Sequence, residues 1–366
     1  MPAAFAGGRW SRWLRPEQAL ACGRWVKLIC GASNQDLAAI EDLCGLYALA
    51  GVHCIDVAAD EAVVAAARRG LRWARCQCPE LVTPWLMLSL SDGEDPHFRK
   101  AWFDPSRCPA DCPRPCARVC PAEAIPSGSG VIAERCYGCG RCIPACPLGL
   151  IEPRSHGLEA RAVPALLARL RPDAVEIHTR LGRGDAFARR LEQVVASGLP
   201  LRRLAVSCGL EAGAGATSAD ADADATPARL ARELWQRFAL LRRHQMRPLW
   251  QLDGRPMSGD VGHGTAHAAV NLLVAVRPLA PPGPLQLAGG TNERSLPLLR
   301  QRSGGIRAAR ATAAGVAFGG LARRRLAPLV QEAARHGRRV LDDPDLWPRG
   351  LGLARELVSP WLVADG

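Results

Sequence analysis

The sequence predicts an α/β fold, a parallel (β/α)8 TIM-type barrel with a cysteine-rich unit inserted after the third strand. Eight apolar runs with strand character alternate with helical patterns along the chain, the signature of strands joined by crossover helices. That alternation stops over 104–152, where the chain turns to cysteine, proline and glycine. Setting aside the N-terminal extension 1–24, the insert 104–152 and a low-complexity loop 211–229 leaves barrel segments 25–103 and 153–366, roughly 270 residues against about 250 for a typical barrel. An open doubly wound sheet fits the same alternation and is the alternative.

In chain order the strands are WVKLICG (25–31), HCIDVAAD (53–60), PWLMLSLS (84–91), AVEIHT (174–179), LRRLAVSCG (201–209), RPLWQLDG (247–254), GPLQLAGGTN (283–292) and AGVAFGGLA (314–322). The stretches 34–51, 61–74, 184–198, 227–244 and 264–276 repeat apolar residues at three and four positions, as helices lying on a sheet require. The densest basic stretch, 322–339, has the pattern of an amphipathic helix at the barrel's end. Trp10, Trp13 and Trp25 are read as docking a helix against the barrel's underside. Segment 211–229 has no apolar side chain larger than alanine apart from Pro227. It cannot bury enough surface to offset ordering entropy and is expected to be a flexible loop.

The insert carries the chemistry. Residues 136–147 read CYGCGRCIPACP, which is C-x2-C-x2-C-x3-C-P, the bacterial ferredoxin run for iron and sulfide. Two-residue gaps let successive thiolates curl around one cluster, and Gly138 and Gly140 permit the tight backbone. In two-cluster ferredoxins the fourth cysteine of a run, followed by proline, crosses to the other cluster. The preceding run CPADCPRPCARVCP (108–121) also ends in Cys-Pro, and CPAEAI (120–125) repeats as CPLGLI (146–151) at an offset of 26 residues. Duplication is what an interlocked pair needs. Cys136, Cys139, Cys142 and Cys120 are assigned to one metal centre and Cys108, Cys112, Cys116 and Cys146 to the other. Two iron-sulfur clusters follow, [4Fe-4S] by the spacing. The wider gaps of the first run, stiffened by Pro109, Pro113 and Pro115, leave that site open between [4Fe-4S] and [3Fe-4S]. A four-cysteine zinc site is the alternative chemistry.

An insert after the third strand lies on the side where barrel enzymes place their active sites. Candidate residues at that rim are Cys30, Asp56, Asp60, Ser91, His178, Cys208 and Asp253, with His178 the first to test. Gly289-Gly290 and Gly319-Gly320 follow the last two strands, where barrels bind phosphate, a flavin phosphate included; glycines that only turn the chain are the other reading. Cys22, Cys44 and Cys54 have apolar neighbours and are read as buried. Cys76 and Cys78 form a C-x-C pair, redox-sensitive or metal-touching, without a third ligand.

The formal net charge is +12, with 45 arginines and only two lysines, Lys27 and Lys100. The arginines are spread over many helices and aromatic residues are few, so no nucleic-acid partner is expected. The N-terminus lacks the apolar core of an export signal. No stretch approaches the about 20 apolar residues of a transmembrane helix. A disulfide scaffold belongs to small secreted domains, so the expectation is a cytoplasmic protein whose thiols are reduced or hold metal.

With these residues in hand, the chain resembles the light-dependent period (LdpA) family of cyanobacteria. The resemblance rests on WVKLICGASNQDL, GVHCIDVAAD, the paired runs CPADCPRPCARVCPAEAI and GVIAERCYGCGRCIPACPLGLI, PDAVEIHTRLGR and GGTN, and it spans most of the chain from Trp25 to the eighth strand. It implies an iron-sulfur protein that senses the redox state set by photosynthetic electron flow and passes light information to the circadian clock, with KaiA and the histidine kinase CikA as associates. On this reading the clusters exchange electrons with the quinone or ferredoxin pool and the change alters a partner surface. The alternatives are a barrel oxidoreductase, flavin-dependent or not, fed by the clusters, and a binding module in which the clusters are structural pins.

Overall fold

The computed structural model describes residues 14–210, 225–254 and 264–363. Strands β1 (Trp25–Gly31), β2 (Cys54–Ala58), β3 (Trp85–Ser91), β6 (Ala174–His178), β7 (Arg203–Gly209), β8 (Pro248–Asp253), β9 (Leu285–Ala288) and β10 (Gly315–Phe318) form a closed barrel in the order β1-β10-β9-β8-β7-β6-β3-β2. All eight pairings are parallel. Closure is made by β1 on β10, with Trp25 opposite Gly315 and Leu28 opposite Phe318, which excludes the open sheet. The missing numbers are the insert. β4 (Arg99–Trp102) and β5 (Glu152–Ser155) pair only with each other, antiparallel, while β3 goes straight to β6. The stretch 99–102, assigned to the barrel from sequence, is therefore one leg of the ribbon that carries the insert.

Alternation along each strand divides the barrel into two interiors. Val26, Leu28, Ile55, Val57, Leu86, Leu88, Val175, Val206, Leu252 and Val316 face outward into one large apolar layer under the helices. Facing inward at the strands' N-terminal end are Trp25, Cys54, Trp85, Met87, Ala174, Ala205 and Leu249, packed with Ala19 and Leu20 of the short helix Pro16–Ala21. That helix plugs the barrel's underside. Trp25 does hold that helix, from inside the barrel: it is an inward residue of β1, fully buried, 5.4 Å from Trp85 in an edge contact and donating from Nε1 to Gln286 Oε1 at 2.6 Å. Trp10 and Trp13 lie outside the described residues.

The helices begin where the sequence supplies caps. Asp36 accepts from Ala39 N to open Leu37–Ala50, and Asp60 accepts from Val63 N to open Glu61–Gln77. Residues 211–224 of the expected loop lie outside the described residues. Its last residues are not loop: Thr226 caps the helix Pro227–Arg243, whose first turn takes 227–229, because threonine followed by proline is a helix start. The basic stretch 322–339 lies mostly in the helix Gly320–Arg335. The helices Val163–Leu170, Ser295–Ser303, Ile306–Thr312 and Leu346–Leu362 were not foreseen. Among the described residues, no helix is long and apolar enough to cross a membrane.

Candidate functional site

The insert sits on the C-terminal mouth of the barrel. Its ribbon and loops are tied to the β1 side: Gln35 N donates to Glu134 O at 2.9 Å, Lys100 Nζ to Gln35 Oε1 at 2.7 Å, and Ser33 Oγ to His97 O at 2.6 Å. Gly138 fits against the ribbon so closely that an added Cβ would stand 1.9 Å from Arg99 O, and its φ is +74°. No residue with a side chain has both the space and that conformation at low cost.

Within the insert several of the thiols lie close enough to one another to hinder each other's ionisation. Cys142 is pushed up to about 12, by burial first and then by Cys139, Cys120 and Cys136. Burial also raises Cys139, which the N–H of Arg141 opposes, and its sulfur neighbours are Cys120 and Cys136. Burial raises Cys116, whose sulfur neighbours are Cys146 and Cys112, and Cys108 neighbours Cys112 and Cys116. The repeat seen in sequence is also a repeat in space. Cys116 and Cys142 are the buried thiols of matching one-turn helices, Pro115–Arg118 and Cys142–Ala145. Ala124 N donates to Cys120 Sγ at 3.2 Å and Leu150 N to Cys146 Sγ at 3.4 Å, while Glu123 and Gly149, 26 residues apart, both have positive φ.

The donor set fits an iron-sulfur centre. Neutral thiols are inert, and four thiolates so placed repel one another unless a cation centre lies among them. The insert's own core is small, with Phe103, Cys116, Ile125, Cys142 and Ile151 as its buried members. A unit of that size depends on what its cysteines hold.

Under Cys139 lies a cavity of about 120 Å³, walled on one side by Pro121, Tyr137, Cys139 and Arg141 and floored by Ser89, His97, His178, Gln251 and Asp253. Gly289-Gly290 and Gly319-Gly320 line its far wall together with Arg323, whose guanidinium lies over the Tyr137 ring at 4.1 Å. The floor is the top of a buried polar ladder. Lys27 Nζ reaches Asp56 Oδ2 at 2.9 Å and also pairs with Glu176 Oε2. Ser89 Oγ donates to Asp56 Oδ1 at 2.7 Å, Gln251 Nε2 to Glu176 Oε1 at 3.0 Å, and His178 Nε2 lies 2.9 Å from the same Glu176 oxygen. Burial works against ionising Glu176, but Lys27 and then His178 outweigh it and hold its carboxyl at about 2. Burial also works to lower His178, yet Glu176, Asp95 and Asp253 raise it to about 9. Burial pushes Asp253 upward against His178 and the hydrogen bond from Ser207.

Of the rim residues read from sequence, the structure brings His178 and Asp253 to the cavity. Cys30 and Cys208 face the opposite way, into the layer under the helices, because they fall on the outward parity of β1 and β7. Asp60 is spent on its helix cap, Ser91 on the carbonyl of Gly93 at 2.6 Å, and Asp56 lies deeper, on the Lys27 ladder. Cys22 is exposed, against expectation, at the end of the plug helix, while Cys44 and Cys54 are buried. Cys76 is exposed and Cys78 half-buried near Glu80, and neither joins a metal-binding group among the described residues. Sequence reasoning missed Lys27, Glu176, Asp95 and His97. The first two carry a legible signal, since a charge in the middle of a strand buried on both faces is out of place. Asp95 and His97 sit in SDGEDPHF between strand and ribbon, where nothing local marks them.

Residues 108–157 match the family model described as the LdpA Fe-S cluster-binding domain, and residues 166–360 match the light dependent period A C-terminal domain. A curated protein of Synechococcus elongatus, "Light dependent period A", is 45% identical over 352 residues, covering 96% of this chain and 95% of its own. Among solved structures, (S)-3-O-geranylgeranylglyceryl phosphate synthase from Thermoplasma acidophilum aligns over 93% of this chain and 96% of that one, at 11% identity and a TM-score of 0.39.

Proposed function

The chain belongs to the light dependent period A family and carries its iron-sulfur-binding domain, and from that premise we propose that it is a cytoplasmic redox sensor reporting light-driven electron flow to the circadian clock. One centre is held by Cys120, Cys136, Cys139 and Cys142, the other by Cys108, Cys112, Cys116 and Cys146. The observation that carries this is the match of residues 108–157 to the LdpA Fe-S cluster-binding domain, over eight cysteines whose two runs repeat at an offset of 26 residues. When bound, each cluster supplies a one-electron couple, for which about 59 mV changes the oxidised-to-reduced ratio tenfold.

The chain's own residues set how such a change is felt. Backbone N–H groups of Ala101, Ala124 and Leu150 point at Cys136, Cys120 and Cys146, and donors to sulfur tune cluster potential. The insert also exposes Trp102, Val119 and Leu148. We assign these exposed apolar side chains to contacts with partners of the KaiA or CikA kind, while the quinone or ferredoxin pool sets the potential.

The test is anaerobic purification with iron and sulfide analysis, then EPR at controlled potential and capture of KaiA and CikA at a reducing and an oxidising potential. About eight irons per chain are expected for two four-iron clusters, with partner capture changing across the midpoint. Zinc without acid-labile sulfide overturns the reading. Cys139 and His178 line one cavity, which favours a second reading, a barrel oxidoreductase. For that enzyme, flavin absorbance surviving purification and turnover lost in His178→Ala are the expected signs.

A further inference from the structure

Outside the cysteines, one group of side chains at the barrel mouth has the chemistry of a metal site. Asp95, His97 and His178 each offer a ligand atom, and the three atoms lie within 4.8 Å of one another. The chain brings them together from two places: His178 ends β6, while Asp95 caps the short turn Pro96–Phe98 between β3 and the ribbon, holding His97 N at 2.8 Å. His97 and His178 face each other with ring centroids 4.9 Å apart, and both line the mouth cavity.

We propose that Asp95, His97 and His178 bind one divalent transition-metal ion, separate from the iron-sulfur centres, with its remaining positions open to the mouth cavity. Two imidazoles and one carboxylate are the donor set such ions take when they keep open positions. His178 is already oriented for it: Nε2 is held 2.9 Å from Glu176 Oε1, and Glu176 is itself fixed by Lys27 and by Gln251 at 3.0 Å. A carboxylate on the far ring nitrogen is the usual support of a metal-bound histidine, and it leaves Nδ1 of His178 for the ion. His97 Nδ1 and Asp95 Oδ1 stand 2.7 Å apart, a direct contact that an ion between them would replace. Two ligands on one tetrahedral ion at about 2.1 Å stand about 3.4 Å apart, so the side chains adjust around the ion, and His97 has room for it at 31% exposed.

Charge points the same way. Asp56, Glu176, Asp95 and Asp253 bring four carboxyl groups to the ladder and the mouth floor, against the Lys27 ammonium and the His178 imidazole. Arg323 is turned instead to Ile29 O and Tyr137. A dication on the two imidazoles offsets negative charge of the mouth floor, whose carboxylates are mostly buried.

Zinc is the probe. Full-length protein, purified without oxygen with its clusters in place, is equilibrated with buffered micromolar Zn²⁺. Zinc and iron are then counted together, and zinc X-ray absorption reads the ligands. The expected result is about one zinc per chain with nitrogen and oxygen near 2.0–2.1 Å, no sulfur near 2.3 Å, and unchanged iron. His97→Ala and Asp95→Asn should each weaken zinc binding at least tenfold. Asp95→Asn keeps an oxygen for the turn, so it decides the matter if His97→Ala loses iron or folds poorly. No retained zinc, zinc on sulfur, or wild-type affinity in Asp95→Asn overturns the proposal. None of these outcomes depends on whether the clusters sense redox state.

Discussion

Lys27 Nζ lies 2.9 Å from Asp56 Oδ2 at the centre of the barrel, with both side chains buried. The chain has two lysines, and the other, Lys100, is also buried, on Gln35. Arginine serves wherever a basic residue is solvated. At the barrel's axis a compact ammonium can stand between Asp56 and Glu176 and also meet Met87 Sδ at 3.6 Å, where a planar guanidinium has a different shape and needs more donors satisfied.

Lys27→Met should therefore cost about 3–5 kcal/mol, because it strands two buried carboxylates rather than removing a pair. Lys27→Arg should restore little of it. Urea unfolding followed by circular dichroism measures both, and a Lys27→Met loss below about 1 kcal/mol would mean that Asp56 and Glu176 are not both ionised.

His53 sets a pH dependence. It accepts from Val26 N at 3.1 Å and stacks on Trp25. Burial first, and then the charge of Arg24, push its imidazole down to about 3. A base with a folded value below its unfolded value of about 6.5 contributes stability that is complete above that pH and is lost as pH falls toward 3. Between pH 6.5 and 4.5 this component amounts to about 2–3 kcal/mol. His53→Asn lacks it, so the stability gap from wild type should narrow or reverse on acidification. A gap constant from pH 7 to 4.5 in paired melts would show His53 protonated in the fold.

The repeat predicts symmetric losses. Cys142→Ser and Cys116→Ser occupy equivalent buried positions, and each should lower iron and sulfide to roughly half while sparing the other centre's EPR signal. Loss of both signals from either substitution would mean that the two sets are not separate centres.

Two neighbouring glycines separate space from conformation. Gly138→Ala meets Arg99 O at 1.9 Å and Pro96 O at 2.8 Å, whereas Gly140, at φ +76°, has nothing within 4 Å of an added Cβ. Gly140→Ala should cost about 1–2 kcal/mol, the penalty of a left-handed residue, and keep its iron. Gly138→Ala must move the ribbon, and its iron content at the Cys136 set should fall well below that of Gly140→Ala.

Much of this molecule was legible in one dimension. The apolar runs WVKLICG and AVEIHT, helical spacing in 34–51 and the Cys-Pro endings at 121 and 147 are local patterns, and local patterns survive in a string of letters. The short helix 163–170 escaped because it gives barely two turns of pattern. Cys22 was misread because apolar neighbours in sequence do not say which side of a helix end meets solvent.

By itself the sequence determined the alternation of strands and helices, the two cysteine runs and their duplication, since each rests on spacing within a few turns of chain. Only the tertiary structure decided that the sheet closes, that Lys27 and Glu176, separated by 149 residues, share one buried network, and that Asp95 and His97 meet His178 beneath Cys139. These are contacts across a barrel, and their partners are chosen by strand order, register and the direction of each side chain at closure.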